Sequence, residues 1–161
     1  MSDEVQIANL LYRYAELMDA GRLEDASELF RHAEIVLDRS TEPIDADALL
    51  AVWRSIVKLH DDGTPKTRHM VTNAQIMIDG DTASARSSYT VLQATQRIPL
   101  QPIIVGRYHD EFERVEGTWQ FSRRDYSLVD LVGDTSDHVS LALRTSADGD
   151  EIHDEDQGVP G

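Results

Sequence analysis

The chain of 161 residues contains no cysteine, and this absence excludes several kinds of functional site. Without thiols it cannot form a disulfide framework, a cysteine nucleophile, or a thiolate-bound zinc or iron–sulfur centre. The sequence also lacks the glycine-rich phosphate loop, the Gly-x-Ser-x-Gly turn and the His-Glu-x-x-His helix, which are typical of nucleotide enzymes, serine hydrolases and zinc proteases. Acid–base chemistry remains available, and because it requires neither a metal nor an organic cofactor, we expect none.

Basic residues and long apolar runs are scarce as well. Lys and Arg together number 15 against 30 Asp and Glu, which gives a formal charge of -15. A surface of this charge repels nucleic acids and anionic lipid headgroups, so we expect neither as a partner. No apolar stretch approaches the roughly 20 residues that span a bilayer, and the opening Ser2-Asp3-Glu4 is unlike a secretion signal. We therefore expect a cytoplasmic protein.

Apolar residues in the first part of the chain recur every three or four positions, which is the spacing of one helix face. Ser2 or Asp3 is suited to cap the first helix, and Gly21 is suited to end it. A brief strand is expected at residues 33–38, between the second and third helices. The segments with helical spacing are residues 7–18, residues 23–30 and a stretch from residue 45 to the turn-forming run 61–65.

After residue 66 the pattern changes to the strict alternation of β-strands. Asp79-Gly80 and Glu116-Gly117 are strong hairpin signals, so neighbouring strands should pair antiparallel. Helices followed by such a meander predict an α+β fold, in which the helices pack on a strongly curved, mainly antiparallel sheet around a cone-shaped cavity. The four predicted strands are residues 67–78, 82–94, 103–115 and 118–130.

The end of the chain differs in composition from the rest. From Asp134 onward it contains eight acidic residues and one basic residue, Arg144. We therefore predict one domain over residues 1–133 and an acidic tail over residues 134–161, which is either solvated or docked on a neighbouring subunit. The outer face of an open curved sheet favours self-association, so we expect a homo-oligomer, either a dimer or a trimer.

Two polar residues are candidates for acid–base chemistry. Asp19 ends the first predicted helix, where a carboxylate opposes the negative end of the helix dipole, and His69 begins the first long strand. If Asp19 faces inward, it can accept the Nδ1 proton of His69 and leave Nε2 free as a base. Spacing alone leaves open the alternative that Asp19 faces water.

Several motifs resemble the SnoaL-like branch of the nuclear-transport-factor-2-like superfamily, and most closely the group containing scytalone dehydratase and hexachlorocyclohexane dehydrochlorinase. The resemblance implies the α+β cone, and it implies that Asp19 and His69 form a catalytic pair with the histidine as base. The motifs are Ile7-x-x-Leu10-Leu11-x-x-Tyr14, Met18-Asp19-x-Gly21-Arg22-Leu23, Arg68-His69-Met70-Val71-Thr72-Asn73, Gly106-x-Tyr108-x-Asp110-Glu111-Phe112-x-Arg114 and Gly117-x-Trp119-x-Phe121-Ser122.

The same resemblance implies that Arg124 assists a leaving group, although strict alternation puts it on the face opposite Trp119. The chain departs from scytalone dehydratase at Met18, where that enzyme has a tyrosine, and its second catalytic histidine has no match here. Candidate ligand contacts, named from the strand and helix patterns, are Tyr14, Trp53, Asn73, Tyr89 and Tyr108.

The function that we predict is a cofactor-independent lyase, of the dehydratase or dehydrohalogenase type, or an isomerase. Its His–Asp pair would remove a proton from carbon of a small apolar cyclic or aromatic-ring molecule. The alternatives are a non-catalytic ligand-binding or oligomerisation module of the same fold, and the small subunit of a ring-hydroxylating dioxygenase.

Overall fold

The computed structural model of the protein describes residues 1–147. Within these residues, three helices and six strands form an α+β fold, and the helices pack on one face of a curled sheet. This confirms the predicted fold class. The elements are α1 (Asp3–Asp19), α2 (Leu23–Glu28), β1 (Glu34–Val36), α3 (Ala46–Ile56), β2 (Thr67–Asp79), β3 (Thr82–Gln93), β4 (Gln101–Val115), β5 (Thr118–Asp125) and β6 (Val129–Val132).

The ends of the helices follow the capping residues of the sequence. Ser2 caps α1 by accepting a hydrogen bond from the Val5 backbone N–H, and Asp45 caps α3 in the same way. Gly21 follows α1 with a φ of 70°, and a Cβ there would lie 2.1 Å from the carbonyl oxygen of Gly63. Only glycine fits this turn, which directs the chain from α1 into α2.

Helix α3 ends earlier than predicted. Val57 adopts an extended conformation and pairs with Val139, so the chain leaves the helix at Ile56 rather than near residue 61. The helical spacing of the apolar residues does not show this, because the pairing partner lies about eighty positions further along the chain. The residues after α3 therefore contact the end of the described chain.

The sheet has the strand order β1-β5-β4-β3-β2, and β6 also pairs with β4. The β1–β5 pair is parallel, and the other pairs are antiparallel. The single strand predicted at residues 118–130 is divided into β5 and β6. The Asp125 carboxylate accepts hydrogen bonds from the backbone N–H and hydroxyl of Ser127, which turns the chain between the two strands.

β-bulges in β2 and in β5 change which of the candidate side chains face the helices. In β2 the register shifts between Thr72 and Gln75, and Asn73 lies in the left-handed region with a φ of 43°. Asn73 is exposed and donates a hydrogen bond to Ser88 on the outer face. Strict alternation along β2, from which Asn73 was named as a ligand contact, predicts that it shares the inner face with His69. This prediction is wrong, because the extra residue reverses the alternation.

The second bulge lies in β5. Glu111 pairs with Arg123 and Phe112 pairs with Phe121, so Ser122 is the extra residue. Both Phe121 and Arg124 are buried as a result. Strict alternation predicted Arg124 on the opposite face from Trp119, and the bulge corrects this expectation.

The core fills the space between the helices and the inner face of the sheet with aliphatic and aromatic side chains. None of the helices in the described part of the chain is long and apolar enough to cross a membrane. The largest completely or almost completely buried apolar side chains are Phe30, Phe112, Phe121, Ile7, Leu11, Ile35, Leu49, Ile103 and Val91.

Candidate active site

Asp19 and His69 meet where the end of α1 contacts the beginning of β2. The Asp19 carboxylate lies 2.5 Å from His69 Nδ1, and it also accepts the His69 backbone N–H at 2.8 Å. The two side chains are only 9% and 6% exposed. A carboxylate can only accept hydrogen bonds, so Nδ1 carries the proton and Nε2 of the neutral ring keeps its lone pair.

The carboxylate of Asp19 occupies an unfavourable position that donors from β2 make stable. It lies at the C-terminal end of α1, where the helix dipole repels negative charge. Besides the two bonds to His69, it accepts a hydrogen bond from the Thr67 hydroxyl at 2.9 Å. Because three donors converge on this carboxylate, Asp19 points inward instead of toward water, and the candidate pair is fixed in place.

Aromatic side chains adjoin the pair. The ring centroid of Tyr14 lies 6.2 Å from that of His69 and 6.3 Å from that of Trp53. Tyr108 contacts Tyr14 and stacks on Tyr89 with a centroid distance of 4.2 Å. Four of the five predicted ligand contacts therefore form one continuous cluster beside His69, whereas Asn73, the fifth, lies outside it.

Burial also sets the protonation state of these tyrosines. It raises the pKa of Tyr14, Tyr89 and Tyr108 above the ordinary value for a phenol. Their hydroxyl groups therefore remain protonated at neutral pH. The cluster combines flat apolar ring surfaces with groups that can donate hydrogen bonds.

Arg124 forms a buried ion pair with Asp110 beside the ring of Tyr14. Its Nε and Nη2 donate to the two oxygens of Asp110 at 2.7 and 2.9 Å, and neither side chain is exposed. Burial alone would lower the pKa of Arg124, but the Asp110 carboxylate more than reverses this and raises it. The guanidinium lies 4.0 Å from the ring centroid of Tyr108 and 4.4 Å from that of Tyr14. Tyr14 thus contacts both Arg124 and His69.

A family model for SnoaL-like domains matches residues 1–125. The chain belongs to the SnoaL-like family. An uncharacterized protein of Mycobacterium tuberculosis is 29% identical over 126 residues, which cover 77% of this chain and 84% of the relative. The membership confirms the resemblance to this family that the sequence motifs indicated.

Two solved structures from Novosphingobium aromaticivorans share the fold of this SnoaL-like protein. A "Putative Scytalone Dehydratase" has a TM-score of 0.65 at 20% identity, over 89% of this chain and 90% of its own. The "beta subunit of a putative aromatic-ring-hydroxylating dioxygenase" has a TM-score of 0.61 at 21% identity, over 85% and 95% of the two chains. Likeness at such low identity shows the fold alone.

The SnoaL-like protein has a second buried histidine near the pair, and sequence reasoning missed it. The His138 ring centroid lies 6.5 Å from that of His69, and the residue is 6% exposed. Its Nδ1 is buried without a hydrogen-bond partner among residues 1–147. Burial, together with the nearby His69, lowers the pKa of His138 to about 4. The sequence did contain a signal for this burial, because the apolar residues Val139, Leu141, Ala142 and Leu143 allow this stretch to pack on the domain.

The residues around His138 are attached to the domain by several hydrogen bonds. We name residues 134–140 the C-terminal segment. The carbonyl oxygen of His138 accepts the Lys58 N–H at 2.8 Å, and the Ser140 N–H donates to Ile56 at 2.9 Å. This part of the predicted tail packs on its own domain beside the end of α3. The last part of that tail, residues 148–161, lies outside the described residues.

Other features of the described chain lie away from the pair. Among residues 1–147, no group of three or more His, Asp or Glu side chains is arranged to hold a metal ion. An open groove of about 460 Å³ is lined largely by the C-terminal segment and the residues on either side of it. Its lining includes Lys58, Asp134 and Ser136 but neither Asp19 nor His69. The groove is therefore separate from the candidate active site.

Proposed function

We propose that this SnoaL-like protein is a cofactor-independent lyase or isomerase in which His69 removes a proton from carbon of a small cyclic substrate. The observation that carries this proposal is the 2.5 Å contact between Asp19 and His69 Nδ1. Both side chains are largely withdrawn from solvent and lie beside an aromatic cluster. Such a pair has the elements of a general base: a free imidazole nitrogen, a fixed tautomer and a counter-charge.

The proton transfer follows from the geometry of the pair. Nε2 of His69 takes the proton from carbon, and the ring becomes an imidazolium whose charge the Asp19 carboxylate stabilises. This attraction is stronger than on a surface because the enclosed pair is poorly screened by water. The electron pair left on carbon either expels hydroxide or halide from the next carbon, or is protonated again at another position. The first outcome makes a lyase and the second an isomerase.

The aromatic cluster supplies the surface for a flat ring. Tyr14 and Trp53 lie on α1 and α3, and their rings meet beside His69. We assign Arg124 to positioning Tyr14, because its guanidinium is fully buried, bound by Asp110 and in contact with the Tyr14 ring. This assignment replaces the direct contact with a leaving group that the family resemblance implied.

The test is exchange of the α-protons of cyclohexanone in D2O, measured by NMR, with the wild-type protein and His69→Ala. We expect the wild type to exceed the buffer rate and His69→Ala to lose at least 100-fold of the enzymic rate. His32→Ala, which changes an exposed histidine, is the matched control and should keep the rate. Equal rates for wild type and His69→Ala would overturn the proposal.

A second measurement separates the lyase from the isomerase. The substrates 3-hydroxycyclohexanone and 3-chlorocyclohexanone both yield cyclohexenone by elimination, and its absorbance reports the rate. A lyase produces cyclohexenone from at least one of them in a His69-dependent reaction. An isomerase exchanges the α-protons of both compounds and forms no cyclohexenone above the buffer rate.

A further inference from the structure

We propose that His138 is a further substrate-binding residue of this site and hydrogen-bonds a hydroxyl group of the ring-shaped substrate that His69 deprotonates. The inference rests on the proposed function for the place of the substrate, and it narrows the substrate class to hydroxylated rings. His138 lies after residue 125, where the family match ends, so the matched family domain does not include this residue.

The two imidazole rings are close neighbours that do not bind each other directly. Their centroids are 6.5 Å apart at an interplanar angle of 70°. A ring nitrogen lies close to its centroid, so nitrogens of the two rings approach to no less than about 4 Å, which is too far for a direct hydrogen bond. A bound ring can therefore contact both histidines at once, with its reacting carbon at His69 Nε2 and a hydroxyl oxygen at His138.

The Nδ1 atom of His138 requires a partner that the described residues do not supply. Leaving a buried ring nitrogen unpaired costs free energy, so such atoms normally bind a ligand or an ordered water. A neutral imidazole presents either an acceptor or an N–H at Nδ1. A hydroxyl group both donates and accepts, so it satisfies either tautomer, whereas a carbon-bound halogen is a poor match.

The charge state of His138 is compatible with the role of His69. Burial, His69 and His60 lower its pKa, the Asp19 carboxylate opposes them, and the net result is a pKa of about 4. His138 is therefore neutral at neutral pH. When His69 takes up a proton, a neutral neighbour does not repel it, and the proton stays on the residue that Asp19 stabilises.

Asp137 holds the backbone that carries His138. Its carboxylate accepts the Thr95 hydroxyl at 2.6 Å and the Arg97 guanidinium at 2.5 Å. Its carbonyl oxygen accepts the side-chain N–H of Gln93 at 3.1 Å. These bonds connect the C-terminal segment to the end of β3 and the loop that follows. Asp137 is thus a positioning residue, and its loss should displace the His138 ring.

The test uses phenol and fluorobenzene, two rings of similar size that differ in the hydroxyl group. Their dissociation constants are measured by NMR titration of the full-length protein. We expect the wild type to bind phenol at least tenfold more tightly than fluorobenzene. His138→Phe should reduce this ratio to about one while the fluorobenzene constant changes less than threefold. His138→Gln retains a hydrogen-bonding group and should keep part of the preference.

Two further variants complete the experiment. Asp137→Ala should lower the phenol preference, because it loosens the segment that carries His138, and His32→Phe, the matched control, should leave the preference unchanged. The proposal is overturned if the wild type shows no preference for phenol, or no saturable binding of either probe. It is also overturned if His138→Phe and His138→Gln both keep the full preference.

Failure of this inference is distinguishable from failure of the proposed function. The two probes report binding without turnover, whereas cyclohexanone exchange reports the base and involves no substrate hydroxyl. A His69-dependent exchange with an unchanged phenol preference in His138→Phe would remove His138 from the site and leave the base in place. Loss of the phenol preference without His69-dependent exchange would instead retain the binding site and remove the proposed reaction.

Discussion

The carboxylate of Asp19 binds His69 at two places, the backbone N–H and ring Nδ1. The first bond ties the beginning of β2 to the end of α1, and the second fixes the orientation and tautomer of the imidazole. The candidate base is therefore built at the junction of the helical layer and the sheet. The proposed function requires a carboxylate at position 19 rather than any polar group of the same shape.

Replacing Asp19 with Asn tests that dependence. The amide is nearly the same size, but it brings an N–H of its own and carries no charge to stabilise the imidazolium. We expect the cyclohexanone exchange rate to fall by roughly 10²–10⁴-fold, the contribution typical of general acid–base catalysis, because the wrong tautomer of the histidine is then favoured. The rate and the circular dichroism spectrum of the variant are measured together.

The matched control for this variant is Asp25→Asn. Asp25 is an exposed carboxylate of α2 that pairs with Arg22, so its loss should leave the exchange rate within twofold of the wild type. A rate for Asp19→Asn close to that of Asp25→Asn, in a folded protein, would show that the charge at position 19 has no part in the reaction.

Much of this arrangement was predictable from local sequence. Helical spacing, the cap at Ser2 and the hairpin turn at Gly80 give the order of the helices and most strands. Asp19 and His69 were identified from their element ends and the family resemblance. What spacing could not decide was the direction of Asp19, because that direction depends on donors from β2, which lie about fifty positions away in the chain.

The bulges were the second limit of sequence reasoning. A strict period of two fails wherever an extra residue is inserted, and it failed at Asn73 and at Ser122. The spacing of the apolar residues in β2 did indicate the bulge, since Val71 and Ile76 face the same side of the sheet yet lie five positions apart, an odd number. Asparagine is also among the residues that adopt a positive φ with the least strain.

Asn73→Gly tests the conformational explanation of the first bulge. Glycine adopts the left-handed conformation without strain, so we expect the free energy of unfolding to stay within about 1 kcal/mol of the wild type. Asn73→Val should destabilise the protein, because a β-branched residue is strained at this φ. Urea unfolding measures both, and cyclohexanone exchange by Asn73→Gly should be unchanged. A large loss of exchange would restore Asn73 to the site.

The buried histidine predicts how stability depends on pH. The folded-state pKa of His138 is about 4, below its ordinary value of 6.5, so the unfolded chain binds this proton first as the pH falls. The contribution of neutral His138 to the free energy of unfolding is therefore fully present above about pH 6.5, and it is lost as the pH falls toward 4. The contribution is roughly 3 kcal/mol by linkage.

Urea unfolding at pH 7 and pH 4.5 measures this effect as the difference between the wild type and His138→Gln. Paired carboxylates weaken both proteins at low pH, so the comparison isolates the histidine. The wild type should lose more stability than the variant. An identical loss in both would contradict the burial of a neutral imidazole at position 138.

The Arg124–Asp110 pair predicts a strong asymmetry between single and double substitutions. Asp110→Asn leaves a fully buried guanidinium without its counter-charge, and we expect a loss of about 3–5 kcal/mol in the free energy of unfolding. The double variant Asp110→Leu with Arg124→Met removes both charges and should recover much of that loss. A single-variant loss below about 1 kcal/mol would mean that the pair is not sealed from solvent.

The measurement that tests the central claim most directly is the ¹⁵N NMR spectrum of the His69 ring in the wild-type protein at neutral pH. The account predicts a protonated Nδ1, bound by Asp19, and an unprotonated Nε2 able to accept a proton from carbon. A ring with the proton on Nε2 would contradict the account, because that tautomer has no lone pair where the substrate must bind.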